Sequence, residues 1–133
     1  MKPACLPSLE LRCGPISAVD LALYAAASGD HNPLHLDADV ARAAGFERPV
    51  VHGMLTMACV GRLFTSHFGP LSLLSLQTRF TGAAQRGDTL VLTATLAQQG
   101  SETALYNVRG RTQDDVEIVT GSAQVSLGLA SSV

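Results

Sequence analysis

Tryptophan is absent from the chain, and aromatic residues make up only 5% of it. Lysine occurs once, at Lys2, and the formal net charge is −2, so no basic patch marks a nucleic-acid partner. Only 15% of residues are charged while 47% are apolar, a balance that excludes a disordered chain. No apolar run reaches the roughly 18 residues that cross a bilayer, so no membrane partner is expected. Cysteine is scarce: Cys5, Cys13 and Cys59 are three in number and widely spaced. That pattern builds neither a disulfide framework nor a cysteine zinc site, and free thiols point to a reducing, cytoplasmic setting. Pro3 and Pro7 interrupt the N-terminal segment, which therefore does not read as a signal peptide. Histidine is missing from everything after position 67. His31, His35, His52 and His67 all crowd into the first half.

With 133 residues, the chain reads as one domain, 1–133. Its first half is helical and its second half strand-rich. Ser8–Cys13 makes a short strand. Ser17 then opens a helix as N-cap, with Asp20 at the third helical position and Ile16 and Leu21 placed as a hydrophobic staple. That helix ends near Ser28-Gly29. Residues 30–36 read DHNPLHL, a loop, because Pro33 pushes Asn32 out of helical space. Asp37 caps a short helix over Ala38–Ala44, stopped by Gly45. From Gly53 to His67 the chain is apolar on nearly every side, the mark of a buried core helix. From Leu71 the period changes to two. Leu74, Leu76, Thr78 and Phe80 share one face; Leu90, Leu92, Ala94 and Leu96, then Ala104, Tyr106 and Val108, then Val119, Ala123, Val125 and Leu127 follow. Gly87-Asp88 and Gly100-Ser101 mark turns. Such spacing predicts an antiparallel meander wrapped on one helix, an α+β arrangement with open edges that a second copy could cover.

Two segments can carry chemistry. Asp30 and His35 lie at the ends of a proline-stiffened loop, where a carboxylate and an imidazole can converge on one water as a general acid/base pair. The structural alternative is that Asp30 caps a turn and His35 is an ordinary loop histidine. His31 and His35 have the spacing of zinc ligands on a helix, but Pro33 between them breaks that helix, so no metal site is expected. The second segment is Val51-His52-Gly53-Met54. The first N–H groups of a buried helix lack partners and carry the positive end of its dipole, and Gly53 admits a close approach to the backbone. That is the logic of an oxyanion hole; the structural alternative is a glycine needed only for packing. His52 is expected to shape the loop beside Gly53. His67 reads as a helix-end cation, and Cys59 as core.

The run from Tyr24 through Asp30-His-Asn-Pro-Leu-His35, with Ala41 beyond it, resembles the hydratase-2 motif of MaoC-like (R)-specific enoyl-CoA hydratases. Glu47-Arg-Pro-Val-Val-His-Gly-Met54 matches the second signature block of that family, and Phe80 and Gly87-Asp88 fall where its members carry a Phe and a Gly-Asp. The resemblance covers nearly the whole chain. It implies a hot-dog fold, a curved antiparallel sheet around a long central helix, and a homodimer. It implies hydration of a trans-2-enoyl thioester of CoA or acyl carrier protein to the (R)-3-hydroxyacyl thioester, or the reverse, without a metal or redox cofactor. By position, Asp30 and His35 become the catalytic pair, Gly53 the donor to the thioester oxygen, and Asn32 and His52 supporting residues.

There are departures. Gly61 stands where some hydratases of this type carry a serine, with Thr56 or Cys59 as replacements, and Ala83-Ala84 stands where many show Pro-Val. Arg48, Arg79 and Arg86 are candidates to meet phosphates. Two other readings remain: a hot-dog thioesterase, disfavoured because the central helix has no acidic residue, and a non-catalytic acyl-thioester binder on the same fold.

Overall fold

The structure, a computed structural model, describes residues 5–128. Strand β1 spans Leu9–Cys13 and helix α1 Ala18–Ser28. Ser17 caps α1 through a reciprocal capping box with Asp20, and Gly29 ends it in the left-handed conformation at φ 78°. Pro33–His35 forms a single 3-10 turn, followed by α2 at Ala38–Ala43 under its Asp37 cap. The central helix α3 runs from Gly53 to Phe68. Strands β2 (Leu73–Phe80), β3 (Leu90–Gln99), β4 (Thr103–Thr112) and β5 (Glu117–Ser126) complete the chain. Among the described residues, no helix is long and apolar enough to cross a membrane.

The five strands form one antiparallel sheet in the order β1-β3-β4-β5-β2. The expected meander therefore holds for β3, β4 and β5 only. β2 pairs with β5 at the far edge, so Gly87-Asp88 does not close a hairpin between β2 and β3. The chain instead crosses beside the N-terminal end of α3, because the helix occupies the sheet face that the crossing must clear. That crossing is stitched to the loop before α3: Val51 N–H donates to Ala84 O at 2.8 Å, and Arg86 N–H to Pro49 O at 2.8 Å. Buried Asp88 anchors it, accepting from Gln85 N–H at 2.8 Å, Gln113 Nε2 at 2.9 Å and Arg48 Nη2 at 3.4 Å. Arg48 also donates to Arg86 O at 2.7 Å, so this candidate phosphate ligand is a strut of the crossing.

The core lies between α3 and the sheet. Thr56, Cys59, Val60, Leu63 and Phe64 form the buried face of α3. They meet Leu90, Leu92, Ala94, Tyr106, Val108, Ile118, Val119, Ala123 and Val125. Phe64 and Tyr106 pack edge to face with centroids 5.6 Å apart. Burying each such side chain contributes roughly 1.5–3 kcal/mol, which holds α3 to the sheet and thereby fixes its N-terminus. The helix is not buried all round, as its composition suggested: Met54, Ala58 and Arg62, one turn apart, form an exposed stripe. The alternation of β2 is also shifted. An irregularity between Leu73 and Ser75 turns Leu73 and Leu76 to the core and leaves Leu74 exposed.

Candidate active site

The loop after α1 is built by its own side chains. Ser28 Oγ accepts from Asp30 N–H at 3.1 Å, Asp30 Oδ1 from Asn32 N–H at 3.3 Å, and Asn32 Oδ1 from Leu34 N–H at 3.0 Å. Asp30 thus caps a turn with one oxygen and keeps the other free. That second oxygen, Oδ2, lies 3.6 Å from His35 Nε2. One carboxylate thus serves the turn through Oδ1 and faces His35 through Oδ2.

His35 is oriented from behind. Its Nδ1 lies 2.7 Å from Val50 O, while Val50 N–H donates to Leu34 O at 3.0 Å. A carbonyl only accepts, so Nδ1 carries the proton of the neutral ring and Nε2 presents a lone pair towards Asp30. Val50 was not a candidate from sequence, because its contribution is a backbone oxygen that any residue supplies.

His52 is fully buried and precedes α3, but its side chain does not cap the helix. Its Nε2–H donates to Asp30 O at 3.2 Å. Its ring stacks on His35 with centroids 3.8 Å apart and planes 21° apart, and Tyr24 of α1 packs edge-on at 4.8 Å. Its Nδ1 is the one buried side-chain nitrogen or oxygen without a hydrogen-bond partner among the described residues. Burial, ahead of any other influence, lowers the His52 pKa from the ordinary histidine value of 6.5. The ring thus joins the segment that precedes Gly53 to Asp30 and His35. The proximity of Tyr24 to this ring was not foreseen, although Tyr24 opens the motif.

Gly53 begins α3. The N–H groups of Gly53 and Met54 make no hydrogen bond among the described residues, whereas those of Leu55 and Thr56 donate to His52 O at 3.1 and 3.2 Å. A Cβ at position 53 would sit 3.3 Å from the Phe80 ring, so glycine is also favoured for packing. Phe80, on edge strand β2, is half-exposed and forms an apolar wall beside these free donors.

Asp30, His35 and His52 each bring a potential metal-ligand atom to within 4.8 Å of the others. Their directions do not suit an ion. Imidazole nitrogens bind metals within the ring plane at roughly 2.0–2.1 Å, and two nearly parallel, stacked planes do not meet at that distance. His31 is exposed and stands apart; His67 lies in the last turn of α3 against Phe68. Cys59 is core: burial, with Cys13 beside it, pushes its thiol up to about 12. It faces Cys13 and does not take the place of the serine missing at Gly61.

A family model, the MaoC like domain, matches residues 9–117. The chain belongs to the MaoC-like domain family. This MaoC-like chain is 36% identical over 114 residues to an (R)-specific enoyl-CoA hydratase from Aeromonas caviae, covering 83% of this chain and 85% of that protein. The solved structure of an (R)-hydratase from A. caviae involved in PHA biosynthesis superposes with a TM-score of 0.82 at 33% identity, covering 91% of this chain and 94% of that one. The fold is thus the hot-dog fold, as the motifs implied. A peroxisomal hydratase-dehydrogenase-epimerase from Saccharomyces cerevisiae is 37% identical over 105 residues, 79% of this chain. That protein is far longer: the MaoC-like chain spans 11% of it, and less than half of several other curated relatives.

Proposed function

We propose that the protein is an (R)-specific hydro-lyase that adds water to trans-2-enoyl thioesters of CoA or acyl carrier protein, or removes it from (R)-3-hydroxyacyl thioesters. The observation that carries this reading is the 3.6 Å approach of Asp30 Oδ2 to His35 Nε2, beside the unengaged N–H of Gly53. Both facing atoms are acceptors. A water between them donates one hydrogen to each and turns an oxygen lone pair to Cβ of the enoyl group. As the C–O bond forms, one water proton passes to the pair. The alkene electrons move to Cα and onto the thioester oxygen, which accepts from Gly53 N–H at the positive end of α3. Cα then takes a proton from the pair, the carbonyl reforms, and the net change is one water added. Asn32 holds the turn that carries both side chains. No step calls for a metal or redox cofactor.

Thioester hydrolysis fits less well, since α3, Gly53–Phe68, contains no carboxylate. A homodimer is supported by edge strand β2, whose Leu74 and Phe80 are both exposed. Free cysteines, two of them buried, support a cytoplasmic setting. The test is to mix the protein with a short trans-2-enoyl-CoA and follow both the conjugated-thioester absorbance and free thiol. Absorbance loss without thiol release is expected, with the (R) product by chiral analysis. Thiol release would mark a thioesterase, and neither change a binding protein.

A further inference from the structure

One group at the site has no part in the steps above. His52 is a polar residue buried to 1% exposure in contact with both members of the pair, and it touches neither the water nor the thioester in that scheme. Resting on the proposed hydration, we propose that His52 is a positioning residue that sets the separation of Asp30 and His35, clamping the Asp30 backbone through Nε2–H and holding the His35 ring flat against its own.

Three contacts carry this. The Nε2–H···O bond to Asp30 fixes the stretch of loop from which the carboxylate projects. The stacked ring prevents His35 from rotating about its Val50 bond, so Nε2 stays aimed at Oδ2. Tyr24 blocks His52 from a third side, so the clamp itself cannot swing away. A misplacement of about 1 Å between reacting groups costs on the order of a hundredfold in rate, so fixing this separation matters to turnover.

The same geometry assigns charge. Protonating His52 would place an N–H at Nδ1, where no acceptor lies among the described residues, and set a cation face to face with His35. The titratable groups against the ring are Tyr24, Asp30 and His35. His52 is thereby kept as a neutral ring.

Three substitutions separate the contributions. His52→Phe keeps a flat ring and removes the donor. His52→Gln returns an amide N–H near the Nε2 position; His52→Asn places it near Nδ1, short of Asp30. With crotonyl-CoA as substrate, kcat should fall about 10- to 100-fold in the Phe and Asn variants with KM within about threefold, and Gln should recover most of the loss. The acid limb of the kcat profile should keep its position in all three. Equal kcat in Asn and wild type, an effect confined to KM, a displaced acid limb, or no advantage of Gln over Asn would overturn the proposal. If Phe fails to fold, the Gln and Asn pair still decides. Should the wild type hydrate nothing, the hydration reading fails by itself. The positioning claim is then settled by 15N imidazole spectra of the wild type and His52→Gln. A neutral Nε2–H tautomer at His52 well below pH 6.5, with His35 held as Nδ1–H in both proteins, supports it; a His52 that titrates together with His35 overturns it.

Discussion

Asp30→Asn separates chemistry from folding more cleanly than any other change at this site. The substitution is isosteric, and most of what Asp30 does for the fold survives it. The backbone N–H still donates to Ser28 Oγ, the backbone carbonyl still accepts from His52, and an amide oxygen can still accept from Asn32 N–H. What disappears is the negative oxygen 3.6 Å from His35 Nε2, on a side chain that is 50% exposed. Solvent screens such a pair, and its contribution to stability is about 0–1 kcal/mol. The melting temperature should therefore move by no more than about 2–5 °C. Turnover should fall about 10²- to 10⁴-fold, the usual reach of a general acid–base group, which corresponds to roughly 2.7–5.4 kcal/mol of barrier. The loss in activity thus exceeds the loss in stability several-fold, and the two are measured on one sample. Initial rates come from loss of enoyl-thioester absorbance at saturating crotonyl-CoA, and stability from a thermal melt. A variant that keeps more than about a tenth of wild-type kcat would refute the role given to this carboxylate. So would a melt so depressed that unfolded protein accounts for the lost rate.

Four further outcomes are expected. Gly53→Ala sets a methyl 3.3 Å from the Phe80 ring, which is half-exposed and can yield; stability should stay within about 1 kcal/mol while kcat/KM drops about tenfold, and unchanged kinetics would count against the donor role. Gly121→Ala drives its Cβ into Gln77 O of the neighbouring strand, so the β2–β5 ladder must open at a cost of about 3 kcal/mol or more, read from the urea midpoint. Because burial lowers the His52 pKa in the folded state, the unfolded chain binds more protons below pH 6.5. His52 thus contributes stability that is complete above 6.5 and lost as pH falls from there through its folded pKa, so ΔG measured by urea melts should decline over that window, less steeply in His52→Phe. Iodoacetamide at pH 8 should label exposed Cys5 and spare Cys59, whose thiol is pushed up to about 12, as peptide mass spectrometry can show.

Elements closed by local interactions were legible in the sequence. Ser17 with Asp20, Asp37, and the Asn32-Pro33 turn each announced a boundary through a side chain that bonds its own neighbourhood. Strand β4 showed its buried face through clean alternation, with Ala104, Tyr106 and Val108 inward. Pairing between distant strands was not legible. Nothing in Leu73–Phe80 states that β5 is its partner, because hydrogen bonds between backbones carry no residue code, and the crossing that leads to this topology depends on α3 filling the sheet face. The approach of Asp30 to His35 was legible because an acid–base reading singles out those two side chains. The Val50 carbonyl that fixes the His35 tautomer was not, and neither was the stacking of His52 on His35, which exists only once the loop and the start of α3 are brought together.

The crowding of histidines resolves into an asymmetry between two of them. Each ring at the site has one nitrogen tied to a carbonyl, but the ties are opposite: Nδ1 of His35 to Val50, Nε2 of His52 to Asp30. The nitrogens left bare therefore differ in surroundings. His35 Nε2 faces the half-exposed carboxylate of Asp30. His52 Nδ1 is buried with no partner among the described residues, where a proton gained would find no acceptor. Two stacked imidazoles can share one positive charge far more easily than carry two. His52 is the member that resists protonation, because burial lowers its pKa. In the hydration proposed above, His52 holds the pair in place as a neutral ring and leaves the proton transfers to Asp30 and His35.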